Sequence, residues 1–223
     1  MFRNREEAGR MLADQLTRYC NDPTALILAL PRGGVAVGYQ LSLTLHIALD
    51  VFMTRKIGAP GNPEYAIGAV DETGSRYLNQ EAVSSLGVSR YELDRLIHSQ
   101  EKEIARRKDL YRRGRPLPQL TGRTVLLVDD GIATGSTFMA SALAIRGLQP
   151  HRLVGVIPVG PASTIQEVRA HMDELVVLMT PAPFEAVGNF FTDFTQVEDH
   201  NVVKYLHLAA EAMLERTPSS PAP

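Results

Sequence analysis

Cysteine is nearly absent from the chain. Cys20 is the single one, so an intrachain disulfide is excluded, and the composition suits a reducing compartment such as the cytosol. Long hydrophobic runs are also missing. No stretch approaches the roughly 20 apolar residues that a membrane helix needs. Met1 to Asn21 carries Arg3, Arg5, Glu6, Glu7, Arg10 and Asp14, so it lacks the apolar core of a secretory signal. Neither sign of charge dominates. The formal net charge is -2, which gives no electrostatic footprint for nucleic acid or a membrane surface. The 6 histidines fall at no spacing typical of metal ligands. Two common phosphate-binding loops are absent as well. No turn carries the Gly-Lys-Ser/Thr of a Walker loop, and neither Gly131/Gly135 nor Gly33/Gly34/Gly38 forms Gly-x-Gly-x-x-Gly. The expectation is a cytoplasmic protein with small-molecule partners, without nucleic acid or membrane.

What remains is ordinary globular material. The chain has 223 residues, 44% of them hydrophobic, enough for one large α/β domain over residues 1–216 with a full core. Residues 217–223, rich in Pro and Ser, are expected to be a disordered tail. Asn4 can cap a first helix, with Glu7 at the capping-box position and Ala8, Met11, Leu12 and Leu16 as its apolar stripe. Ala25 to Leu30 is a solid apolar run, as a buried parallel strand should be. A loop at Pro31-Arg32-Gly33-Gly34 and a helix from Val35 follow. Ile47 to Met53 is a second strand, and Arg55 to Glu64 reads as a long loop rich in Gly and Pro. Ala66 to Val70 and Arg76 to Leu78 flank Asp71-Glu72-Thr73-Gly74 as a hairpin. Ser89 starts a long helix that ends near Gly114, and its basic stretch, Arg106-Arg107-Lys108 continuing to Arg112-Arg113, reads as a solvated face. Val125 to Val128, Leu153 to Val159 and Glu174 to Thr180 are further strands. Helices are expected from Ser136, from about Ile165 and from Val202.

This alternation predicts a doubly wound, mainly parallel sheet of about five strands with helices on both faces. Ligands in such sheets sit at the carboxyl ends of the strands. One segment there combines unusual chemistry: Val125-Leu126-Leu127-Val128-Asp129-Asp130-Gly131-Ile132-Ala133-Thr134-Gly135-Ser136-Thr137. A buried strand delivers two adjacent carboxylates. A turn of Gly and hydroxyl residues then opens a helix, whose free N–H groups and positive dipole end make a phosphate cradle. Carboxylates suit vicinal hydroxyls or a magnesium ion, and the cradle suits a phosphate. Both needs within one turn describe a phosphorylated sugar. The plainer alternative is that the Asp pair caps the turn and the hydroxyls cap the helix.

The segment resembles the 5-phosphoribosyl-1-pyrophosphate (PRPP) signature of the type I phosphoribosyltransferases: four apolar residues, two acidic ones, a small stretch, then Thr-Gly-Gly/Ser. The resemblance covers roughly residues 21–159 and implies that family's fold. It also implies that Asp129 and Asp130 hold the ribose hydroxyls. Gly131, Ala133, Thr134, Gly135, Ser136 and Thr137 would surround the 5′-phosphate. Pro31, Arg32, Gly33 and Gly34 occupy the place of the family's pyrophosphate loop, often of unusual peptide conformation. Thr54-Arg55-Lys56 is similar to the Arg-Lys stretch that meets pyrophosphate in the adenine and orotate enzymes, and Gly61 to Tyr65 would be a mobile loop over the site.

The implied activity is transfer of the phosphoribosyl group to a nitrogen nucleophile, such as a nucleobase or related small molecule, with release of pyrophosphate. That places the chain in nucleotide or nucleoside metabolism. Arg55, Lys56 and Glu64 are the catalytic candidates. Mg²⁺ is the implied cofactor, held mainly through the ligand, with Asp129 and Asp130 as further candidates. A non-catalytic PRPP sensor on the same fold is the alternative. Residues 79–118 exceed the family core and read as an inserted helical arm, over the site or at a contact of a homodimer. Residues 158–195 are the expected source of a small acceptor hood, with Phe184, Phe190, Phe191, Asp193 and Phe194 in it.

Overall fold

The computed structural model describes residues 1–215. The proposed tail at 217–223 lies outside the described residues. The apolar runs become strands, in chain order β1 (Ala25–Ala29), β2 (Ala48–Val51), β3 (Thr54–Ala59), β4 (Asn62–Asp71), β5 (Arg76–Leu78), β6 (Thr124–Val128), β7 (Arg152–Val159) and β8 (Glu174–Met179). The helices are α1 (Arg5–Gln15), α2 (Gly33–Leu45), α3 (Gln80–Ser85), α4 (Arg90–Arg112), α5 (Ser136–Gly147), α6 (Ala162–Arg169) and α7 (Asp199–Leu214).

Five strands form the expected parallel sheet, in the order β2-β1-β6-β7-β8. Every residue of β1 and β6 is buried, which is why both read as unbroken apolar runs rather than alternating ones. Helices α1, α2 and α7 pack their apolar faces on one side of the sheet, with Leu12, Leu41 and Val202 in that core. On the other side, α5 and α6 supply Phe138, Ile145 and Val168. The chain leaves β1 toward β2 at one edge and leaves β6 toward β7 and β8 at the other. The switch point of the sheet therefore lies between β1 and β6, where a crevice opens at the carboxyl ends. Register makes this crevice level: Ala29 pairs with Val128, and the Leu30 N–H donates to the Val128 carbonyl at 2.8 Å. The loops after β1 and β6 thus start side by side.

The N-caps are as read from the sequence, but the Glu7 carboxylate accepts from the Arg3 N–H rather than closing a capping box on Asn4. Asn4 accepts from the Glu7 N–H at 2.9 Å and Ser89 from the Glu92 N–H at 3.2 Å. The reading of residues 55–64 as a loop needs correction. They form most of an antiparallel hairpin, with Thr54 opposite Asp71 and Ala59 opposite Asn62. The correction has a physical source. Ile57, Ala59 and Ile67 turn inward and build a separate small core with Ala82 and Ile97 of the helical arm. This non-local burial outweighs the local turn chemistry of Gly58, Pro60 and Gly61.

The arm is not loosely attached. The reading of the basic stretch as a solvated face needs correction at Arg112, the last residue of α4, which is 1% exposed. Arg112 donates to Asp50 at 2.9 Å, to the buried Glu72 carboxylate and to the Val51 carbonyl. Glu72 in turn accepts from the Met53 N–H at 3.0 Å. One guanidinium therefore ties α4 to the end of β2 and to the turn between β4 and β5. Among the described residues no helix is long and apolar enough to cross a membrane.

Candidate functional site

The loop after β6 is built as a cradle. Its Ile132 N–H donates to the Val159 carbonyl at 3.0 Å, and the Ile132 side chain is buried beneath the loop. Thr164 of α6 donates to the Ala133 carbonyl at 2.9 Å. Gly135 caps α5 with φ +69, a conformation that side-chain-bearing residues rarely adopt; a Cβ there would also stand 2.6 Å from Thr164. Thr134 and Ser136 hydroxyls lie 3.1 Å apart and are exposed, as is Ala133, while Thr137 is half-buried. The first-turn N–H groups of α5 have no intrahelical acceptor by geometry, so this rim offers donors to an anion. An open depression of about 140 Å³ over the loop is lined by Asp129 and residues 131–138. A larger crevice of about 380 Å³ lies beyond Thr134 and Ser136, between α5, α6 and the β4–β5 hairpin.

The two carboxylates differ in surroundings. Asp129 accepts from the Asp130 N–H at 2.9 Å. Burial, reinforced by the adjacent Asp130 charge, pushes the Asp129 carboxyl well above the usual carboxylate range. Asp130 is ion-paired to Arg5 of α1 at 2.6 Å, with side chains 15% and 10% exposed. It also lies directly against the loop after β1. A Cβ on Gly33 would stand 1.9 Å from the Asp130 carboxylate, so only glycine allows this approach. The Pro31–Arg32 peptide bond is cis, in keeping with the unusual conformation expected of this loop.

The predicted cations are separated by strand alternation. Arg55 faces α4 and donates to Gln100 at 2.9 Å. Lys56, on the opposite face of β3, shares the side of Thr54, which accepts from Ser141 of α5 at 2.8 Å. Arg32 pairs with Glu198, the N-cap of α7, at 2.9 Å. Glu64 falls on β4, and its side chain lies outside the described residues.

Several residues escaped the sequence reading. Arg106 is half exposed, as a solvated face requires, but Arg107 is 14% exposed and turns toward the cations of this side. Burial, then the repulsion of Arg107, Arg106 and Arg32, holds the Arg55 guanidinium below its ordinary value. Glu103 binds both arginines, at 2.8 Å to Arg106 and 2.7 Å to Arg107, and these bonds hold its carboxyl at about 2. Asp199, next to Glu198, takes Arg106 at 2.9 Å and the Tyr111 hydroxyl at 2.6 Å. A continuous polar network thus runs from Arg32 through the start of α7 to α4. Only the periodicity of Gln100, Glu103 and Arg107 along α4 hinted at a shared face.

The segment expected to form the hood also has an unforeseen partner, residues 2–5. Phe2 bridges to Phe191 in a parallel pair, the Thr192 N–H donates to the Phe2 carbonyl at 2.8 Å, and the Phe2 and Phe191 rings lie 5.2 Å apart. Phe184, Phe190 and Phe194 pack around them as a small core. Asp193 is engaged in its own turn, accepting from the Thr195 N–H and hydroxyl at 2.9 and 2.6 Å. The apolar Phe2 just ahead of the Asn4 cap was the available signal.

Comparison with known proteins agrees with this geometry. Residues 2–183 match the family model described as "Phosphoribosyl transferase domain", and the chain belongs to that family. It is 39% identical over 209 residues to a Mycobacterium tuberculosis protein named "Putative phosphoribosyl transferase Rv0571c", covering 94% of this chain and 47% of that protein. The chain therefore spans about half the length of the curated relatives it matches. Its fold is also that of the TT1426 protein from Thermus thermophilus, with a TM-score of 0.78, 38% identity and coverage of 92% and 97% of the two chains.

Proposed function

We propose that the chain binds PRPP across the switch-point crevice and transfers its phosphoribosyl group to a nitrogen nucleophile, releasing pyrophosphate. The observation that carries this reading is the level juxtaposition of two loops. The hydroxyl-rich cradle after β6 and the Pro31–Gly34 loop after β1 touch through Asp130 and Gly33. The cradle suits the 5′-phosphate through Gly131, Ala133, Thr134, Gly135, Ser136 and Thr137. Asp129 and Asp130 suit the ribose hydroxyls. The cationic side formed by Arg32, Arg55 and the α4 arginines suits the pyrophosphate, where leaving-group charge builds.

Magnesium fits as a passenger of the ligand. Among the described residues no group of three or more His, Cys, Asp or Glu side chains could cage a metal. A magnesium ion held by phosphate oxygens and water needs only one or two carboxylates, and Asp129 faces the crevice for that role. Bound there, the ion would neutralise charge on the departing pyrophosphate. Arg55 and Lys56 remain the charge-stabilising candidates, and Glu64 a candidate for orienting the acceptor.

Calorimetry with PRPP and Mg²⁺ tests the donor half. Asp129→Asn is expected to weaken binding about tenfold, since it replaces one carboxyl oxygen offered to the sugar or the ion by an amide while keeping its shape. Absence of PRPP binding by the wild-type chain would sink the reading. Pyrophosphate release over a panel of bases and amines tests transfer. Binding without turnover on any acceptor would favour the sensor. The α4 contribution has its own signature. Arg107→Gln is expected to weaken PRPP and inorganic pyrophosphate by roughly five- to tenfold, leaving ribose 5-phosphate unchanged. An equal loss for all three ligands would place Arg107 outside the pyrophosphate side.

A further inference from the structure

The Arg5 guanidinium lies where three parts of the molecule meet, and no role in ligand binding has been given to it so far. Its Nε donates to Asp130 Oδ2 at 2.6 Å, its Nη1 donates to the Thr195 carbonyl at 2.9 Å, and its Cζ sits 3.8 Å from the centre of the Phe194 ring. Thr195 and Phe194 belong to the hood segment. Asp130 belongs to the cradle and rests against Gly33 of the loop after β1. Both partners of the ion pair are nine-tenths or nearly so removed from solvent. A buried cation in such a place has a cost that its contacts must offset. Here they also do something geometric. With Oδ2 held from the hood side, the Asp130 carboxylate is fixed in orientation beside Asp129.

We propose that Arg5 is a positioning residue for sugar recognition. It aims Asp130 at the ribose hydroxyls and offsets the repulsion between Asp129 and Asp130, and through Phe194 and Thr195 it makes that aim depend on the hood. This rests on the donor-binding reading above. The ligand class is a ribose 5-phosphate moiety, and pyrophosphate, recognised at the far side of the crevice, is the internal control. Coupling of this kind is reciprocal, so an occupied and ordered hood tightens the sugar and the sugar orders the hood.

The test is calorimetry with ribose 5-phosphate and, separately, Mg²⁺-pyrophosphate. The proteins are wild type, Arg5→Gln, Arg5→Lys, Asp130→Asn and the double variant Arg5→Gln/Asp130→Asn. Arg5→Gln is expected to weaken ribose 5-phosphate about tenfold and leave pyrophosphate within twofold. Arg5→Lys should restore part of the loss, because it keeps the charge without the planar fork. On the Asp130→Asn background the Arg5→Gln change should be nearly silent, since it acts through Asp130. Full additivity of the two changes, or unchanged ribose 5-phosphate affinity in Arg5→Gln, overturns the proposal. Should Arg5→Gln not fold, Phe194→Leu decides: a roughly threefold loss confined to ribose 5-phosphate is expected, and no loss overturns it. A wild-type chain that binds pyrophosphate but no ribose 5-phosphate would overturn the donor reading itself, a result distinct from any change among the variants.

Discussion

An alanine at Gly33 is expected to weaken PRPP binding about 100-fold or more while the fold persists. The added Cβ would stand 1.9 Å from Asp130 Oδ2 and 2.4 Å from its Cγ, so the carboxylate must swing away. That movement breaks the Arg5 contact at 2.6 Å and removes Asp130 from the position proposed for the ribose. A displacement of about 1 Å in a positioning group can cost about 100-fold, and this clash demands more than that. The backbone itself need not move, because the colliding atoms end a side chain. Calorimetry with PRPP and Mg²⁺ reads the effect, with Gly147→Ala as the control: Gly147 is the exposed last residue of α5 and a Cβ there meets nothing within 4 Å. Wild-type affinity in Gly33→Ala would mean that Asp130 does not serve the sugar from this position.

The second large effect is on stability. Arg112→Met is expected to destabilise the chain by about 3–5 kcal/mol, because it leaves Glu72 buried as an uncompensated charge. Glu72 is also 1% exposed, and its remaining bond from the Met53 N–H cannot replace the guanidinium. Chemical denaturation measures the loss, and a cost under about 1 kcal/mol would contradict the assignment. The double change Arg112→Met/Glu72→Gln should recover part of it, since the orphaned charge is gone. The same substitution loosens α4 from β2 and the β4–β5 turn. Pyrophosphate affinity is then expected to fall in molecules that remain folded, because Arg106 and Arg107 lose their footing.

The parallel sheet and the cradle were legible because their signals are local. Ala25 to Leu30 and Val125 to Val128 are uninterrupted apolar runs, and Asn4 and Ser89 cap helices within three residues of themselves. The segment Asp129 to Thr137 carries its chemistry in one stretch. What stayed hidden depends on pairing across sequence distance. Gly58, Pro60 and Gly61 look like loop residues until Ile57 and Ile67 find Ile97. Asp71-Glu72 looks like a turn, and nothing near it announces that Glu72 is the buried partner of a residue 40 positions on. Arg106 and Arg107 look solvated because the cations and carboxylates that face them, Arg55 and Asp199, lie on other elements. Arg5 and Asp130 are 125 residues apart, and no periodicity links them.

The pairing of Phe2 with Phe191 sets an order for assembly during synthesis. Residues 2–5 leave the ribosome well before residues 190–195, so the strip that completes the crevice waits for the sheet between them to emerge. Until then α1 can pack on α2, but Phe2 has no partner and Arg5 no hood to lean on. The surroundings of Asp130 are therefore finished by the meeting of two strips nearly 190 residues apart, and a chain halted between residues 180 and 190 would hold all five strands of its sheet without that strip.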